Sequence, residues 1–185
     1  MKTTFNFHKT SLEGLFFIEP LFVPDERGYF LKSYESNIFR EHNIDFKTVE
    51  CYESMSAIGV IRGLHFQKEH WQTKLVRCLK GRLFDVAVDI RRDSPTFGRW
   101  EGFYLSPQNR SMLYIPVGFA HGFLSMEEDS LISYIFGDRY DPASDGGIRW
   151  DDPDIDIKWP IEELDCNIIV STKDGKLPFL KDCLR

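Results

Sequence analysis

Short runs of apolar and β-branched residues recur along the chain, and turn-forming residues separate them. Runs of this length between turn signals are typical of β-strands, and their regular spacing predicts an all-β sandwich or barrel. The predicted strands are residues 15–18, 28–34, 60–67, 74–79, 83–90, 100–105, 112–115, 122–126 and 131–136.

Alternation of apolar and polar residues is clearest in residues 83–90. Because successive side chains of a strand point to opposite faces, one core-facing side is predicted here. That face carries Phe84, Val86, Val88 and Ile90, and the other carries Leu83, Asp85, Ala87 and Asp89.

One short helix and two turns complete the predicted elements. Residues 36–43 are the clearest helix candidate, with Ser36 as the cap and with Ile38 and Phe39 packed inward. Residues 80–81 and 107–109 have the composition of hairpin turns between strands.

Composition and charge limit the classes of protein. A chain of 185 residues predicts a single domain over residues 1–185, and 42% apolar residues indicate a packed interior. The net charge of -6 argues against a nucleic-acid partner, because phosphate binding needs a concentrated field of Lys and Arg. A small anionic ligand needs only a few cations, and Arg27, Arg62 and Lys74 could supply them.

Cysteine spacing and the N-terminal sequence predict a cytoplasmic protein. Cys51, Cys78, Cys166 and Cys183 are widely spaced and form no CxxC pair, so neither a zinc site nor a disulfide scaffold is indicated. The N-terminus lacks a continuous apolar signal segment, and no window approaches the roughly 18 apolar residues of a membrane span, so no membrane partner is expected.

His65 is the first candidate for chemistry. Period-two alternation predicts that it shares a face with Gly63 and Gln67, opposite Arg62, and that the glycine leaves room for a ligand. The same pattern fits a core or surface histidine of a strand. Asp174 could orient His65 as a carboxylate, although an Asp-Gly pair alone is more typical of a turn.

Four other side chains have two interpretations each. Lys74 shares a face with Val76, so it is either an inward cation for an anionic partner or a solvated strand lysine. Tyr134 lies on an apolar face and Tyr140 in a turn, and buried tyrosines usually serve packing. His121 lies near glycines, as a site histidine or a plain turn residue would.

A metal site is not predicted. A metal site built on β-strands commonly has a His-x-His pair followed by an acidic ligand, but Phe66 and Gln67 follow His65, and Gly122 and Phe123 follow His121.

Short motifs are spread along nearly the whole chain. They are DERGYF at 25–30, RGLHFQ at 62–67, KLVR at 74–77, DV at 85–86, DIR at 89–91, SPTFG at 94–98, PVGFAHGF at 116–123, GIRW at 147–150, DP at 152–153, WP at 159–160 and STKD at 171–174. Together they resemble, in order and in spacing, the motifs of the dTDP-4-dehydrorhamnose 3,5-epimerase family, which makes the resemblance specific.

The resemblance implies a cupin jelly roll that dimerises by exchanging N-terminal strands and that uses no metal or cofactor to epimerise a nucleotide-linked 4-keto-6-deoxyhexose. By position, it implies that His65 is the base, Asp174 its orienting carboxylate, Lys74 the cation that holds the sugar oxyanion and Tyr134 the acid. It also implies contacts to the sugar or diphosphate from Arg27, Arg62, His121 and Lys173, with Tyr140 shaping the pocket.

Four positions depart from the family pattern. Lys32 stands where the family usually has Glu, Glu50 and Tyr52 replace the usual Gln and Asn, and Asp145 replaces a pocket-lining Glu. We count all four among the candidate substrate-binding residues. Lys32 and Glu50 are hypothesised to form a rearranged pair near the nucleotide base, since a misplaced charge can exclude a ligand.

Alternative functions remain open from sequence alone. A mono-epimerase acting at C3 or C5 would keep the same catalytic set, and the nucleotide could be CDP, GDP or UDP instead of dTDP. A non-catalytic cupin that binds sugar nucleotides would leave the joint presence of His65, Asp174, Lys74 and Tyr134 unexplained. A metal-dependent cupin is opposed by the missing ligand set.

Overall fold

The structure, a computed structural model, describes residues 4–45 and 47–183, which are mostly β-strands. The strands are β1 Asn6–Lys9, β2 Phe16–Glu19, β3 Leu21–Asp25, β4 Gly28–Lys32, β5 Glu50–Ser56, β6 Val60–Gln67, β7 Lys74–Lys80, β8 Leu83–Asp89, β9 Trp100–Leu105, β10 Met112–Ile115, β11 Phe119–Ser125, β12 Ser130–Phe136, β13 Asp145–Gly147 and β14 Ile169–Val170. The α-helices are α1 Ser36–Glu41 and α2 Leu180–Cys183.

Two antiparallel sheets face each other, as the predicted all-β fold requires. The first sheet has the order β1-β2-β10-β7-β12-β5, and the second has the order β13-β6-β11-β8-β9 with β14 added parallel to β6. Strands β3 and β4 pair only with each other in the described residues and form a separate hairpin. Every predicted strand is confirmed, with shifts of a few residues at some ends.

The central core lies between the sheets. Val76, Leu113 and Ile132 of the first sheet pack in one cluster with Ala87 and Phe123 of the second. Burial of aliphatic and aromatic side chains contributes about 1.5–3 kcal/mol each, so this layer holds the two sheets together around whatever polar groups it contains.

The prediction of a single core face for residues 83–90 is wrong, because both faces of β8 are buried. Its odd-numbered residues enter the central core, and Val86 and Val88 pack outside the second sheet against the C-terminal segment, including Trp159 and Leu180. The alternation itself is confirmed. A charged residue on the inner face, Asp85, is consequently fully buried.

The two predicted hairpin turns are also wrong in one respect. Residues 80–81 join β7 to β8, and residues 107–109 join β9 to β10, but each turn connects strands of opposite sheets. Gly81 has a positive φ of 73° and packs against Ser130. The turn residues determine where the chain reverses direction. Which strands then form hydrogen-bonded pairs depends on the sheet in which each strand is buried.

The predicted helix begins and ends close to the predicted residues, but Ser36 is not its cap. Glu35 occupies the cap position without a side-chain hydrogen bond to the helix, and Ser36 is already helical. Phe39 is fully buried as predicted, and Ile38 packs at the edge of the same cluster. Among the described residues, no helix is both long and apolar enough to cross a membrane.

Candidate active site

A pocket of about 230 Å³ opens between the two sheets at the ends of β6, β7, β11 and β12. Most of the predicted site residues line it, and they come from both sheets and from the loops at its mouth. Those lining the pocket are Tyr52, Arg62, His65, Lys74, His121, Tyr134, Tyr140, Asp145 and Lys173.

His65 and Asp174 form a hydrogen-bonded pair at this pocket. The His65 Nε2 atom lies 2.9 Å from Asp174 Oδ1, and Gly63 N donates to Oδ2 at 3.1 Å. Burial opposes ionisation of Asp174, but the hydrogen bonds from His65 and Gly63 outweigh it and hold the pKa of this carboxyl below its ordinary value. An ionised Asp174 only accepts, so Nε2 of His65 carries the proton and Nδ1 is the basic nitrogen.

A β-bulge places Arg62 on the same side as His65, contrary to the predicted alternation. In the ladder with β11, His65 pairs with His121 and Arg62 pairs with Phe123, so β6 has one residue more than its partner. The backbone of Gly122 occupies the space beside Gly63, because a Cβ added at Gly63 would lie 2.7 Å from the Cα of Gly122. The predicted room for a ligand at Gly63 is therefore absent.

Lys74 is an inward-facing cation, which decides between its two interpretations. Its side chain enters the pocket with only 6% of the residue exposed, and Nζ donates to the backbone oxygen of His65 at 3.1 Å. Burial lowers the pKa of Lys74 to about 8, although the negative charges of Asp85 and Asp145 act in the opposite direction. At pH 7 such an amine is about nine-tenths protonated.

Tyr134 is buried and lines the same pocket as Lys74 and His121. Its ring stacks on Phe136 with centroids 5.4 Å apart and lies edge-on to His121 at 5.9 Å. Burial, with the charge of Asp85, raises the pKa of Tyr134 well above its ordinary value. The phenol is therefore protonated at neutral pH and can donate a proton only to a strongly basic centre.

A second histidine–aspartate pair lies deeper, and Asp85 was not predicted as part of the site. The Nε2 atom of His121 is 3.0 Å from both carboxylate oxygens of Asp85, and the two side chains are 4% and 0% exposed. Burial lowers the pKa of His121 below its ordinary value. The sequence signal for Asp85 was the DV motif at 85–86, because the alternation of residues 83–90 puts Asp85 on the face opposite the predicted core.

Gln67 is another residue that sequence reasoning did not assign to the site. Its amide nitrogen donates to the backbone oxygens of His70 and Arg139, and its oxygen accepts from Asp141 N at 2.7 Å. These bonds fix the loop that carries Tyr140 at the mouth.

Among residues 4–45 and 47–183, no three His, Cys, Asp or Glu side chains converge in a way that could hold a metal ion.

Comparison with known proteins decides the family. The sequence model of the dTDP-4-dehydrorhamnose 3,5-epimerase family matches residues 9–182. The chain belongs to this family. A dTDP-4-dehydrorhamnose 3,5-epimerase of Methanothermobacter thermautotrophicus is 50% identical over 170 residues, which cover 92% of this chain and 91% of that protein. The chain is accordingly an isomerase of the epimerase type.

Solved epimerases share the fold as well. The dTDP-6-deoxy-D-glucose-3,5-epimerase of Legionella pneumophila, in complex with dTDP-4-keto-L-rhamnose, superposes with a TM-score of 0.92 at 40% identity, covering 96% of this chain and 94% of that one. A 3'-monoepimerase of Streptomyces bikiniensis in complex with dTDP-quinovose gives 0.87 at 32% identity, covering 94% and 87%. The cupin-type fold expected from the sequence is confirmed.

Two positions that depart from the family pattern lie at the mouth of the pocket. Asp145 accepts from Tyr140 Oη at 3.3 Å and forms a short ion pair with Lys173. Tyr52 stands opposite Tyr134 in the ladder between β5 and β12, with ring centroids 5.1 Å apart. Burial raises the pKa of Tyr52 to about 12.

Three predicted binding residues do not line this pocket within the chain. Arg27 is exposed at the turn of the β3–β4 hairpin and pairs with Asp25. Lys32 donates to Glu35 at 2.6 Å, and Glu50 accepts from the backbone of Tyr140. The hypothesised pair of Lys32 with Glu50 is therefore wrong within one chain, because each charge already has a nearer partner.

Proposed function

We propose that this chain epimerises a nucleotide-linked 4-keto-6-deoxyhexose at C3 and C5, in a reaction of the type that converts dTDP-4-dehydro-6-deoxy-D-glucose to dTDP-4-dehydro-L-rhamnose. The observation that carries the proposal is the convergence of one base, one cation and one acid in a single pocket: His65 with Asp174, Lys74 and Tyr134. Family membership supports the same reaction.

The first half of the reaction removes a proton. A C4 ketone acidifies the hydrogens on C3 and C5, and Nδ1 of His65 takes one of them while Asp174 stabilises the imidazolium that forms. The electron pair of the broken C–H bond moves to the ketone oxygen and gives an enolate. The ammonium of Lys74 stabilises that charge more strongly in a water-poor pocket than it would in water.

The second half returns a proton to the opposite face of the sugar ring. Tyr134 donates from its hydroxyl group to the carbon, the enolate collapses to the ketone, and the centre is inverted. The raised pKa of Tyr134 suits this role, because the phenol stays protonated until the basic carbanionic carbon is presented to it. The proposed mechanism uses no cofactor.

Binding is assigned to the polar and aromatic groups around this set. Arg62, His121 and Lys173 would contact the sugar or the diphosphate, and Tyr140, Tyr52 and Asp145 would shape the mouth. Arg62 is held for this by Ser56 Oγ at 3.0 Å and by the backbone oxygen of Met55. Arg27, Lys32 and Glu50 would act at the nucleotide end.

A homodimer with exchanged N-terminal strands is proposed for the assembled enzyme. The β3–β4 hairpin exposes Tyr29 and Phe30 by 62% and 57%, and β5 is an edge strand with Tyr52 and Met55 exposed by 48% and 60%. Exposed apolar residues beside an unpaired edge favour strand addition from a second copy. Exchange would carry the Arg27 of each copy toward the other copy's pocket.

Mixing two inactive variants tests the exchange. If Arg27 acts in the partner's site, Arg27→Ala and His65→Ala chains that are refolded together form heterodimers with one intact site, and about a quarter of all sites recover activity. If no site recovers activity, each copy uses its own Arg27. A monomeric mass in light scattering would exclude the dimer.

A single domain over residues 1–185 and a cytoplasmic location complete the proposal. The central core draws residues from both sheets, which supports one folding unit. All four cysteines are free thiols, and Cys51 and Cys166 are exposed, which supports a reducing compartment.

Proton exchange with solvent tests the reaction directly. The protein is incubated in deuterium oxide with a dTDP-linked 4-keto-6-deoxyhexose, and NMR follows deuterium at C3 and C5. The proposal predicts deuterium and inversion at both carbons. Deuterium at one carbon only would identify a mono-epimerase, which the fold shared with the Streptomyces enzyme makes the second candidate. No deuterium with dTDP, CDP, GDP or UDP sugars would identify a binding protein.

A further inference from the structure

Asp85 is a buried acid that the proposed reaction does not use. It lies on β8 with none of its surface exposed, and both carboxylate oxygens face the Nε2 atom of His121 at 3.0 Å. Burial of a lone carboxylate is costly, and a group of this kind is retained where a partner compensates its charge. The role of Asp85 therefore depends on its partner, His121.

Sheet geometry explains why Asp85 meets His121. In the ladder between β8 and β11, Asp85 pairs with Phe123 and Ala87 pairs with His121, so Asp85 and His121 are diagonal neighbours on the inner face. From this position the carboxylate also acts electrostatically on Lys74 and Tyr134, which line the same pocket. One buried charge thus bears on three groups of the site.

We propose that Asp85 is a positioning residue and the buried counter-charge of the pocket: it holds His121 as the neutral Nε2–H tautomer and balances the ammonium of Lys74. This inference rests on the proposed function for its catalytic consequence, but its structural content concerns the free protein. His121 then presents Nδ1 as an acceptor, which suits a sugar hydroxyl better than a phosphate.

Two features separate Asp85 from an ordinary core residue. The carboxylate accepts the histidine N–H with both oxygens, so it has no need of a protonated imidazole to be satisfied. An ammonium, a neutral imidazole and a carboxylate together also leave this buried group of side chains without net charge, which lowers its desolvation cost. Loss of this carboxylate would remove the stronger of the two negative charges that act on Lys74.

Several charged or titratable groups surround Lys74, and the test has to distinguish Asp85 from them. Asp145 acts in the same direction as Asp85 on the pKa of Lys74, and it is the weaker of the two. The other groups facing the pocket are His65 and Arg62 of β6, His121 of β11, Tyr134 of β12, Tyr52 of β5, Tyr140, and Lys173.

The matched control is Asp89, which lies on the same strand and the same face and is also fully buried. Its carboxylate is held by Arg91, Ser94 and Thr96 instead of by a pocket residue. Asp89→Asn therefore removes a buried carboxylate from β8 without removing the charge near Lys74.

The test is an NMR titration of Lys74 in the protein labelled with ¹³C at lysine Cε, with the signal assigned by its loss in Lys74→Met. In Asp85→Asn the midpoint should fall by about one pH unit from its value near 8, whereas in Asp89→Asn it should not move. An unchanged midpoint in Asp85→Asn would overturn the counter-charge role, whatever the catalytic result.

A second measurement needs no variant to fold. The ¹⁵N shifts of the His121 imidazole at pH 7 in the unaltered protein should show a neutral ring with the proton on Nε2. A proton on Nδ1, or a charged ring, would overturn the positioning role. Both readouts are independent of turnover, so a failure of the proposed reaction is distinguishable from a failure of this inference.

Discussion

The two histidine–aspartate pairs of the pocket have the same chemistry and different surroundings. The side chain of His65 is 35% exposed while Asp174 is 5% exposed, and the His121 and Asp85 side chains are 4% and 0% exposed. The first pair has an imidazole that a substrate and water can reach. The second is almost fully buried at the inner end of the pocket and acts through hydrogen bonding and charge.

This difference shows how one fold assigns two roles to one kind of pair. Asp174 is held ionised by hydrogen bonds from His65 and Gly63, so the outer histidine can gain a proton and keep a stabilising neighbour. Burial disfavours the charged form of the inner histidine, His121. Environments that push two like groups apart are the usual origin of separate functions in one site.

The largest effect is expected from His65→Ala, which removes the outer imidazole. Deuterium exchange at C3 and C5 should fall by about 10²–10⁴-fold, because that is the usual contribution of a positioned base. His8→Ala is the control, since His8 is an exposed histidine of β1 that does not line the pocket. Near-normal exchange in His65→Ala would assign the base elsewhere and remove the distinction between the pairs.

Tyr134→Phe should separate exchange from inversion. The ring packing on Phe136 and His121 is kept and only the donor hydroxyl is lost, so deuterium still enters while inverted product falls on the order of 10²-fold. The ratio of deuterated starting sugar to epimerised sugar measures this. Equal loss of both would mean that Tyr134 supports proton removal and is not the acid.

Asp174→Asn should reduce stability in a pH-dependent way. The pKa of Asp174 is depressed in the folded protein, so its contribution is full above its unfolded value near 3.8 and is lost as pH falls through the folded value. Urea unfolding should show a deficit of the variant at pH 7 that narrows at low pH. A deficit independent of pH would mean that the carboxylate charge contributes nothing.

The smallest effect is expected from Tyr52→Asn, which restores the usual family residue at the mouth. The ring lies against Tyr134 and Phe136 at 5.1 and 4.8 Å, so its loss should change preference among dTDP, CDP, GDP and UDP by a few-fold without abolishing exchange. Tyr52→Phe keeps the ring and should behave as the unaltered protein. Identical nucleotide affinities in all three proteins would remove Tyr52 from recognition.

The sequence predicted the strands with strong apolar runs and missed those with weak ones. β5 is mostly polar and exposed, β3 contains Pro24, and β13 and β14 have three and two residues, so none has a strong local signal. The alternation of β8 was read correctly, but burial of its second face depends on the C-terminal segment, which packs there from far along the chain.

The site residues also divide into those that the sequence identified and those that it did not. Motif order brought out His65, Asp174, Lys74 and Tyr134, and the structure places all four together at one pocket. Period-two counting misplaced Arg62, because it contains no information on the extra residue of a bulge. The alternation put Asp85 on the face opposite the predicted core, and its partner follows from the register between β8 and β11, which a single sequence does not specify.

The most direct test of the two roles is the pH profile of deuterium incorporation by Asp174→Asn and Asp85→Asn, measured side by side with the unaltered protein. Asp174→Asn should lower the rate at every pH above the pKa of Asp174. It should leave the alkaline limb of the profile near pH 8, because that limb follows the loss of the proton from Lys74. Asp85→Asn should move that limb down by about one unit, which costs about fivefold at pH 8. Two variants with the same profile would contradict the assignment of proton transfer to the outer pair and of charge balance to the inner one.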